Sequence, residues 1–285
     1  MSNRKGIMLC YPFEERRLGK WTLPVFIQPK LNGDRCRAIL DSDGRCTLLS
    51  SEEHIITSVP HINLELEATG LKNIELDGEL YYHGMTHEEI RSIVGRTVEL
   101  HPNFTSMEYH VFDVIFPGAQ CERLMKLVDL PLKSCRSVRI VETDVAYSLE
   151  QIMSSYDGYI ERGYEGFIIR HTDAPYIRRR STMVMKFKPK KEDYYTIVGY
   201  EEEVSIQGFN KGSLGALICK DDMGTIFKVG TGPALTRDAR LLLWKERDTL
   251  PGRIAKVKYQ HLTEKKVPRF PVLVEVVNPK TMFKI

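Results

Sequence analysis

The strongest constraint on the fold is a lysine placed in a short break between two β-strand patterns. Residues 28–35 read QPKLNGDR, with an apolar run before them at 25–27 and an alternating run after them at 36–40. Asn32 and Gly33 predict a tight turn, because both residue types tolerate positive φ. A lysine fixed there, partly desolvated and beside other cations, is available as a nucleophile. Lys30 is therefore the first catalytic candidate, although an isolated K-x-x-G more often marks an exposed hairpin lysine.

The length and charge of the chain indicate two domains and an anionic partner. A chain of 285 residues is long enough to bury a sizeable core and to divide in two. The net charge is only +3, but residues 178–191 contain seven basic side chains and no acidic one. Such a run is commonly a solvated face, and it also suits nucleotide phosphates or a nucleic-acid backbone.

The six cysteines form neither a C-x-x-C pair nor a zinc-like spacing. They predict reduced thiols in a cytosolic protein and argue against a disulfide framework or a cysteine metal site. The sequence shows no secretory signal and no apolar run long enough to cross a bilayer. We therefore expect no membrane partner.

In the first part of the chain, strand and helix signals alternate. Asp43-Gly44 between two alternating runs predicts a hairpin, and residues 73–82 and 107–116 predict strands. Thr86 and Glu89 form a capping-box pattern for a helix ending at Val94. Helical periodicity extends from 148 to a stop at 163, and residues 52–68 suggest a loop with a short helix.

The predicted secondary structure changes near residue 191, where short strands become predominant. Five short strands are predicted at 194–200, 214–219, 225–229, 253–259 and 272–277, with one helix at 237–248. This content matches a small Greek-key barrel of the oligonucleotide-binding (OB) type. We therefore predict an α+β protein with domains at 1–191 and 192–285.

Several strands carry charges where apolar residues are expected. In ELDGEL (75–80), Asp77 and Glu79 share one face, and in MKFK (185–188), Lys186 and Lys188 share another. Two lysines on one face suit a triphosphate. Carboxylates at Glu79 or at Glu165, which starts the strand EGFIIR, suit a Mg²⁺ that also takes phosphate oxygens.

Taken together, these motifs resemble the ATP-dependent DNA ligases, within the nucleotidyltransferases that work through a lysyl-nucleotide. KLNGDR (30–35), ELDGEL (75–80), YHVFDV (109–114), EGFIIR (165–170) and MKFK (185–188) occur in the family's order, and the resemblance covers about residues 8–275. It implies a nucleotidyltransferase domain of the ATP-grasp-like ligase adenylation type, with mostly antiparallel sheets, followed by an OB-fold β-barrel. The short chain is similar to the minimal viral or phage ligases.

The resemblance also implies roles for individual residues. Lys30 would form the phosphoramide with AMP, and Glu165, with Glu79, would hold the metal. The remaining nucleotide contacts would come from residues around the base, ribose and phosphates: Gln28 at the adenine edge, Phe112 stacked on the ring, Glu79 at the ribose, and Arg35, Lys186 and Lys188 at phosphates. ATP and Mg²⁺, with Mn²⁺ as a substitute, are the implied cofactors.

Three departures from the family pattern stand out. Asn32 replaces the usual Asp beside the nucleophile. Ser51 stands where ligases commonly have the arginine that grips the 5′-phosphate of a nick, and Arg37 or Arg45 on the adjoining hairpin is the expected substitute.

The third departure is at the C-terminus, where the family's R-x-D-K is absent. Lys280, with Arg269 nearby, is the candidate phosphate contact there.

The implied substrate is nicked double-stranded DNA, acted on by a monomer in the cytoplasm, or in the host cytoplasm if the source is viral. An RNA ligase or capping-type nucleotidyltransferase shares the lysine chemistry and is the alternative. A non-catalytic OB-fold nucleic-acid-binding protein is a more distant one, because it gives no reason for Lys30, Glu79 and Glu165 to occur together.

Overall fold

Three five-stranded sheets form the framework of the protein, as seen in a computed structural model that describes residues 5–188, 191–260, 262–263 and 265–277. Two of the sheets belong to one compact unit, formed by the chain up to Ser155 and by Tyr164–Phe187. The third belongs to a second unit, formed by Tyr156–Gly163 and by the chain from Lys188 onward. The domain boundary near residue 191 stays a prediction.

The first unit contains short strands interspersed with helices. In chain order, the elements up to the end of this unit are β1 (Leu9–Pro12), α1 (Glu15–Leu18), β2 (Val25–Pro29), β3 (Asp34–Leu40), β4 (Cys46–Ser50), α2 (Pro60–Ala68), β5 (Ile74–Tyr81), α3 (His87–Val94), β6 (Glu108–Val114), α4 (Gln120–Asp129), β7 (Val138–Ile140), β8 (Asp144–Ala146), α5 (Leu149–Glu161), β9 (Phe167–His171) and β10 (Arg180–Phe187). The last turns of α5 are assigned to the second unit.

The two sheets of the first unit are connected where β2 leads into β3. One sheet has the order β1-β10-β9-β2-β8 and the other β4-β3-β5-β6-β7. Strands pair antiparallel except at β1–β10 and β6–β7. The chain therefore passes from one sheet to the other through the break that contains Lys30.

Helices α2 and α3 cover the core of the β4-β3-β5-β6-β7 sheet, and the start of α3 is set by a local sequence motif. The Thr86 side chain accepts a hydrogen bond from the Glu89 backbone, and the Glu89 carboxylate accepts one from Thr86, so the predicted capping box is confirmed. Ile90 and Ile93 of α3 and Leu66 of α2 are buried in the same cluster as the inner residues of β5. This packing fixes α3 against the sheet.

The second unit is built on one antiparallel sheet. Its elements are β11 (Lys191–Val204), β12 (Asn210–Lys220), β13 (Ile226–Val229), α6 (Arg237–Lys245), β14 (Ile254–Tyr259) and β15 (Val272–Val277). The strand order is β13-β12-β11-β14-β15, so among the described residues the predicted barrel is seen as an open five-stranded sheet. Its core is apolar and includes Leu217, Val229, Val257 and Leu273.

The α+β class, the mostly antiparallel sheets and the five strands with one helix in the second part are confirmed. The structure adds α4 and extends the weakly predicted helix near residue 60 to the nine residues of α2. All six cysteines are free, as expected. Among the described residues, none of the helices is both long enough and apolar enough to cross a membrane.

Candidate active site

The backbone of Lys30 is held from both sides at the crossing between the two sheets. Its N–H donates to the Gly166 carbonyl at 2.9 Å, and its carbonyl accepts from the Glu165 N–H at 3.3 Å. Gly166 has φ 155°, a conformation that favours glycine. The Glu165-Gly166 pair, predicted from sequence as the start of a strand, therefore lies directly beside the candidate nucleophile.

The turn at Asn32-Gly33 forms for a different reason from the expected one. Neither residue has positive φ, so the prediction from turn conformation is wrong. A Cβ on Gly33 would lie 2.2 Å from the Leu80 carbonyl oxygen and 2.9 Å from Glu79 Cγ. Glycine is required here because the loop approaches the backbone of β5 too closely for any side chain.

The Lys30 side chain lies against a carboxylate. Its Nζ forms an ion pair with Glu165 Oε2 and also donates to the Leu31 carbonyl at 3.3 Å. The sequence predicts neighbouring cations that activate this lysine, but the side-chain group that forms an ion pair with it is an acid. The carboxylate fixes the position of Nζ and is the nearest acceptor for its proton.

The two acids of β5 share a face, as predicted, but have different partners. Glu79 accepts a hydrogen bond from the Gly33 N–H at 3.2 Å. Burial raises the pKa of Glu79, and the positive charges of Arg35 and Lys30 oppose this rise. Asp77 is almost fully buried and is bound by Arg35 and by the Tyr176 hydroxyl at 2.6 Å. Glu79 is thus the acid of this pair that faces the nucleophile loop.

Arg35 is fixed by a bidentate ion pair. Its Nε and Nη2 donate to the two oxygens of Asp77 at 2.7 and 2.5 Å, and Nη2 also donates to the Met8 carbonyl at 3.2 Å. Two parallel charge-assisted bonds of this kind set the plane of a guanidinium. The structure therefore brings Arg35 to the cleft with a fixed orientation, which is set by Asp77.

Phe112 reaches the cleft through a β-bulge. The β5–β6 register moves from Asp77 opposite Asp113 to Gly78 opposite Val111, which leaves Phe112 as the extra residue. Bulges of this kind redirect a side chain out of the regular alternation. The ring lines the cleft, with the guanidinium carbons of Arg35 and Arg170 at 4.6 and 5.2 Å from its centroid.

Gln28 is buried at the base of the cleft with its amide engaged by protein groups. Its Nε2 donates to Thr143 Oγ1 at 3.0 Å and to the Phe112 carbonyl at 3.3 Å, and its Oε1 accepts from Arg170 Nε at 2.9 Å. The amide donors of Gln28 are therefore already used within the protein. One lone pair of Oε1 remains for a ligand.

Behind Gln28 lies a buried charge network that the sequence did not predict. Asp113 and Arg123 are fully buried and joined at 2.8 Å, and Arg170 reaches the other oxygen of Asp113 at 3.2 Å. Arg123 also donates to the Gln120 side chain and to the carbonyls of Gly118 and Ala174. The network fixes Arg170, and through it Gln28. A local signal existed in Asp113, an acid at an inward position of the predicted strand, but its partners are 10 and 57 residues away.

Of the remaining predicted residues, only some lie at the cleft. Lys186 lies on β10 and lines the cleft. Lys188 follows the end of β10, is exposed and does not line it. The Arg269 guanidinium carbon lies 4.3 Å from the centroid of the Phe270 ring in the second unit, and Lys280 lies outside the described residues.

The cleft in the first unit has a volume of about 610 Å³, which is in the range of small-ligand sites. It joins Lys30, Arg35, Glu79, Phe112 and Lys186 on the facing sides of the two sheets. A lysine amine, an aromatic face, a carboxylate and two further cations thus surround one space. This set can bind a nucleotide and form a bond from Lys30 to its phosphorus.

Comparisons with protein families match both parts of the chain. The family described as ATP dependent DNA ligase domain matches residues 8–188, and the family described as DNA ligase OB-like domain matches residues 207–276. The DNA ligase of Haemophilus influenzae is 28% identical over 204 residues, covering 68% of this chain and 69% of that protein. A DNA ligase of African swine fever virus is 25% identical over 205 residues, covering 67% of this chain and 47% of that protein. The chain thus spans about half the length of its viral relative.

Solved structures agree with the fold over nearly the whole chain. The Chlorella virus DNA ligase-adenylate matches with a TM-score of 0.70 at 21% identity, covering 95% of this chain and 97% of that one. The DNA ligase from bacteriophage T7, in complex with ATP, matches with a TM-score of 0.70 at 16% identity, covering 95% and 98%. At these identities the likeness concerns the fold, and the predicted pairing of an adenylation domain with an OB domain is confirmed.

Proposed function

The chain belongs to the ATP-dependent DNA ligase family, and from that premise we propose that it seals nicks in duplex DNA through a covalent Lys30–AMP intermediate. The observation that carries this proposal is the position of Lys30. Its backbone is bonded on both sides to Glu165-Gly166, and its ammonium is held by Glu165 beside a cleft of nucleotide size. Neither the RNA-ligase or capping alternative nor the non-catalytic one is favoured by the matches to DNA ligases.

The proposed reaction consists of three phosphoryl transfers. The Lys30 ammonium first loses one proton to solvent, and the neutral Nζ attacks the α-phosphorus of ATP. A P–N bond forms, pyrophosphate leaves, and a second proton passes from the nitrogen to Glu165 or solvent. A 5′-phosphate oxygen of the nick then displaces Lys30 from AMP, and the amine regains a proton. Finally the 3′-hydroxyl oxygen attacks the 5′-phosphorus, its proton passes to solvent, and AMP departs. Catalysis in each step rests on positioning and on neutralising phosphate charge.

The chain's own residues supply this positioning. We propose that Phe112 stacks on the adenine, that the remaining lone pair of Gln28 Oε1 accepts from its amino group, and that Glu79 bonds a ribose hydroxyl. Arg35 and Lys186 would hold phosphate oxygens; their side chains line the same cleft as Phe112. Lys188, Arg269 and Lys280 stay predictions for phosphate contacts.

The acids near Lys30 fit a magnesium ion that shares its coordination with phosphates. Among the described residues, no group of three or more metal-ligating side chains forms a cage on its own. Glu165 and Glu79 both lie close to the Lys30 loop, and Mg²⁺ bound to nucleotides commonly uses one or two carboxylates plus phosphate oxygens and water. When bound, the ion would neutralise charge on the triphosphate, with Mn²⁺ as a substitute.

We further propose that the protein acts as a monomer on nicked double-stranded DNA in the cytoplasm. The free state of all six cysteines supports a reducing compartment.

Paired sealing assays test this function. The protein is incubated with ATP and Mg²⁺ and with matched nicked duplexes in which the strands at the nick are DNA or RNA. We expect sealed product on nicked DNA with release of AMP, and little product on the RNA nick. Efficient sealing of only the RNA nick would assign the chain to the alternative chemistry.

A further inference from the structure

Arg35 has two hydrogen-bond donors left for a ligand. A guanidinium carries five N–H donors. Its Nε uses one on Asp77 Oδ1, and its Nη2 uses two, on Asp77 Oδ2 at 2.5 Å and on the Met8 carbonyl at 3.2 Å. Nη1 has no hydrogen-bond partner among the described residues, and the side chain lines the cleft. The direction of Nη1 is therefore set by how firmly Asp77 and Met8 are held.

A single hydroxyl is bonded to both of these groups. Tyr176 Oη donates to Asp77 Oδ2 at 2.6 Å and accepts from the Met8 N–H at 3.1 Å. Together with Arg35, the three residues form a closed ring of hydrogen bonds. Burial and the charge of Asp77 raise the pKa of Tyr176, so the hydroxyl keeps its proton and acts as a donor at neutral pH. Removing this hydroxyl would take a hydrogen bond from both partners of Arg35.

Tyr176 is itself held by the buried charge network behind Gln28. It lies in the connection between β9 and β10. Arg123 Nη1 donates to the Ala174 carbonyl in this connection at 2.8 Å, and the Arg123 guanidinium carbon lies 5.6 Å from the centroid of the Tyr176 ring, within reach of a cation–π contact. The position of the hydroxyl is therefore fixed from the side opposite the cleft.

The next position along the same strands repeats this pattern outside the cleft. Arg37 of β3 is bound by Glu75 of β5, and Glu75 is held in turn by Arg178 of the β9–β10 connection. Arg37 is 5% exposed and is also bound by Glu53, so the role expected for it at the 5′-phosphate of a nick is wrong. Arg45, the other substitute expected there, does not line the cleft. Of the two repeats, only the one with the tyrosine orients a cleft residue.

The loss of the hydroxyl would be felt at the cleft because the groups it bonds are buried. Asp77 would lose one donor to a carboxylate that is 1% exposed, and the N–H of Met8, which is 2% exposed, would lose its acceptor. Buried groups left without partners are costly, and a small shift of either residue relieves that cost. Such a shift changes the direction of Arg35 Nη1. Displacements of about 1 Å can slow a positioned reaction by about 10²-fold.

We propose that Tyr176 is a positioning residue for the adenylation of Lys30, because it fixes the two groups that orient Arg35 towards phosphate oxygens. It acts through Arg35 and has no contact of its own with the reacting atoms. The proposal rests on the proposed ligase function and deepens it by naming a residue outside the motifs that carry the family resemblance.

A double-mutant cycle tests this dependence. Formation of Lys30–AMP from labelled ATP is followed in single turnovers, at subsaturating ATP and constant Mg²⁺, for wild type, Tyr176→Phe, Arg35→Gln and the double variant. Tyr176→Phe should slow adenylation by about 10-fold, and Arg35→Gln by about 10²–10³-fold. Because Tyr176 acts through Arg35, the double variant should be no slower than Arg35→Gln alone.

Tyr109→Phe is the matched control. Tyr109 is fully buried in the same unit, and its hydroxyl donates to the Leu76 and Cys36 carbonyls at 3.0 and 3.3 Å, without bonding the Asp77 carboxylate. Both Tyr→Phe variants remove a buried hydroxyl and should lower the thermal denaturation midpoint. Only Tyr176→Phe should also slow adenylation, measured at a temperature where both variants are folded.

Losses that multiply in the double variant would show that Tyr176 acts independently of Arg35 and would overturn the proposal. So would a wild-type rate in Tyr176→Phe, or equal slowing by Tyr176→Phe and Tyr109→Phe. A wild type that forms no Lys30–AMP would instead contradict the proposed function.

Discussion

The two units of the protein differ in whether their charged side chains are buried or exposed. Of the twelve polar or charged side chains buried among the described residues, only Ser213 belongs to the second unit. In the first unit, Asp113, Arg123 and Arg170 are ionic and buried together. In the second, ion pairs such as Lys256–Glu192 lie on exposed strand faces over an apolar core.

This difference shows that the first unit accepts buried charges, which are costly for stability, where they hold side chains in position. A buried charge is expensive to desolvate and is tolerated only when its partners are complete. Here the buried charges fix Arg170, Gln28 and Arg35 at the cleft, whereas the described part of the second unit shows no comparable pair of fully buried charges. Trp21 and Trp244 lie one in each unit, so versions retaining a single tryptophan can follow each unit separately.

The largest effect is expected from the buried network. Asp113→Asn keeps the shape of the side chain but removes the anion between two arginines. Loss of one partner from a buried pair costs about 3–5 kcal/mol. The denaturation midpoint reported by Trp21 should fall sharply while that reported by Trp244 stays near wild type. A small shift at Trp21 would mean that the network does not support the first unit.

The next effect concerns chemistry at the cleft rather than stability. Glu165→Gln removes the carboxylate that holds Lys30 and a proposed metal ligand. We expect adenylation by ATP to slow by about 10²–10³-fold, in line with the loss of one preorganised electrostatic contact, and the Mg²⁺ requirement to rise. Rates are measured across a Mg²⁺ titration. An unchanged rate and titration curve would assign Glu165 to a structural turn.

A smaller effect is expected in the second unit, where burial favours the protonated form of a carboxyl group. Burial and the charge of Glu161 raise the pKa of Asp157 to about 6, while a hydrogen bond with Thr231 and the charge of Arg240 oppose the rise. An aspartate with a raised pKa in the folded state contributes stability below its unfolded pKa of about 3.9, and this is lost as pH rises through 6.

The midpoint reported by Trp244 in wild type should therefore fall relative to that of Asp157→Asn between about pH 4 and pH 6, and the difference should stay constant above that range. Comparison of the two proteins removes the contribution of histidines, which are the same in both. An identical pH dependence would show that Asp157 titrates normally.

The smallest effect is expected at the exposed pairs of the second unit. Glu192→Gln removes the partner of Lys256 and Lys258 on the surface. Such pairs contribute little, so both tryptophan signals should keep their midpoints within about 2 °C of wild type. A shift comparable to that of Asp113→Asn would erase the contrast between the units.

Local signals in the sequence predicted much of the fold. The capping box at Thr86 and the shared face of Asp77 and Glu79 depend on neighbouring residues, and both are present in the structure. The strand predicted from Glu165 is also present, but it begins two residues later, at Phe167. Features that depend on distant partners could not be read in this way. Asp113 meets Arg170 across 57 residues, and Arg37 is taken by Glu53 and Glu75.

The physical reasons for the positions of Gly33 and Phe112 also depend on tertiary contacts. Gly33 is needed because Leu80 approaches it, and Phe112 reaches the cleft because β6 bulges opposite β5. The sequence drew attention to both residues but could not show these contacts. The role of Phe112 at the nucleotide stays a prediction.

The central claim is that Lys30 carries AMP, and mapping the adenylated residue tests it most directly. The protein is incubated with ATP labelled at the α-phosphate and Mg²⁺, digested, and analysed by mass spectrometry. We predict one AMP on the peptide containing Lys30, released when nicked DNA is added. Lys30→Ala and Lys30→Arg should carry none, because alanine has no nucleophile and a guanidinium stays protonated. Label on another lysine, or label retained by either variant, would contradict the account.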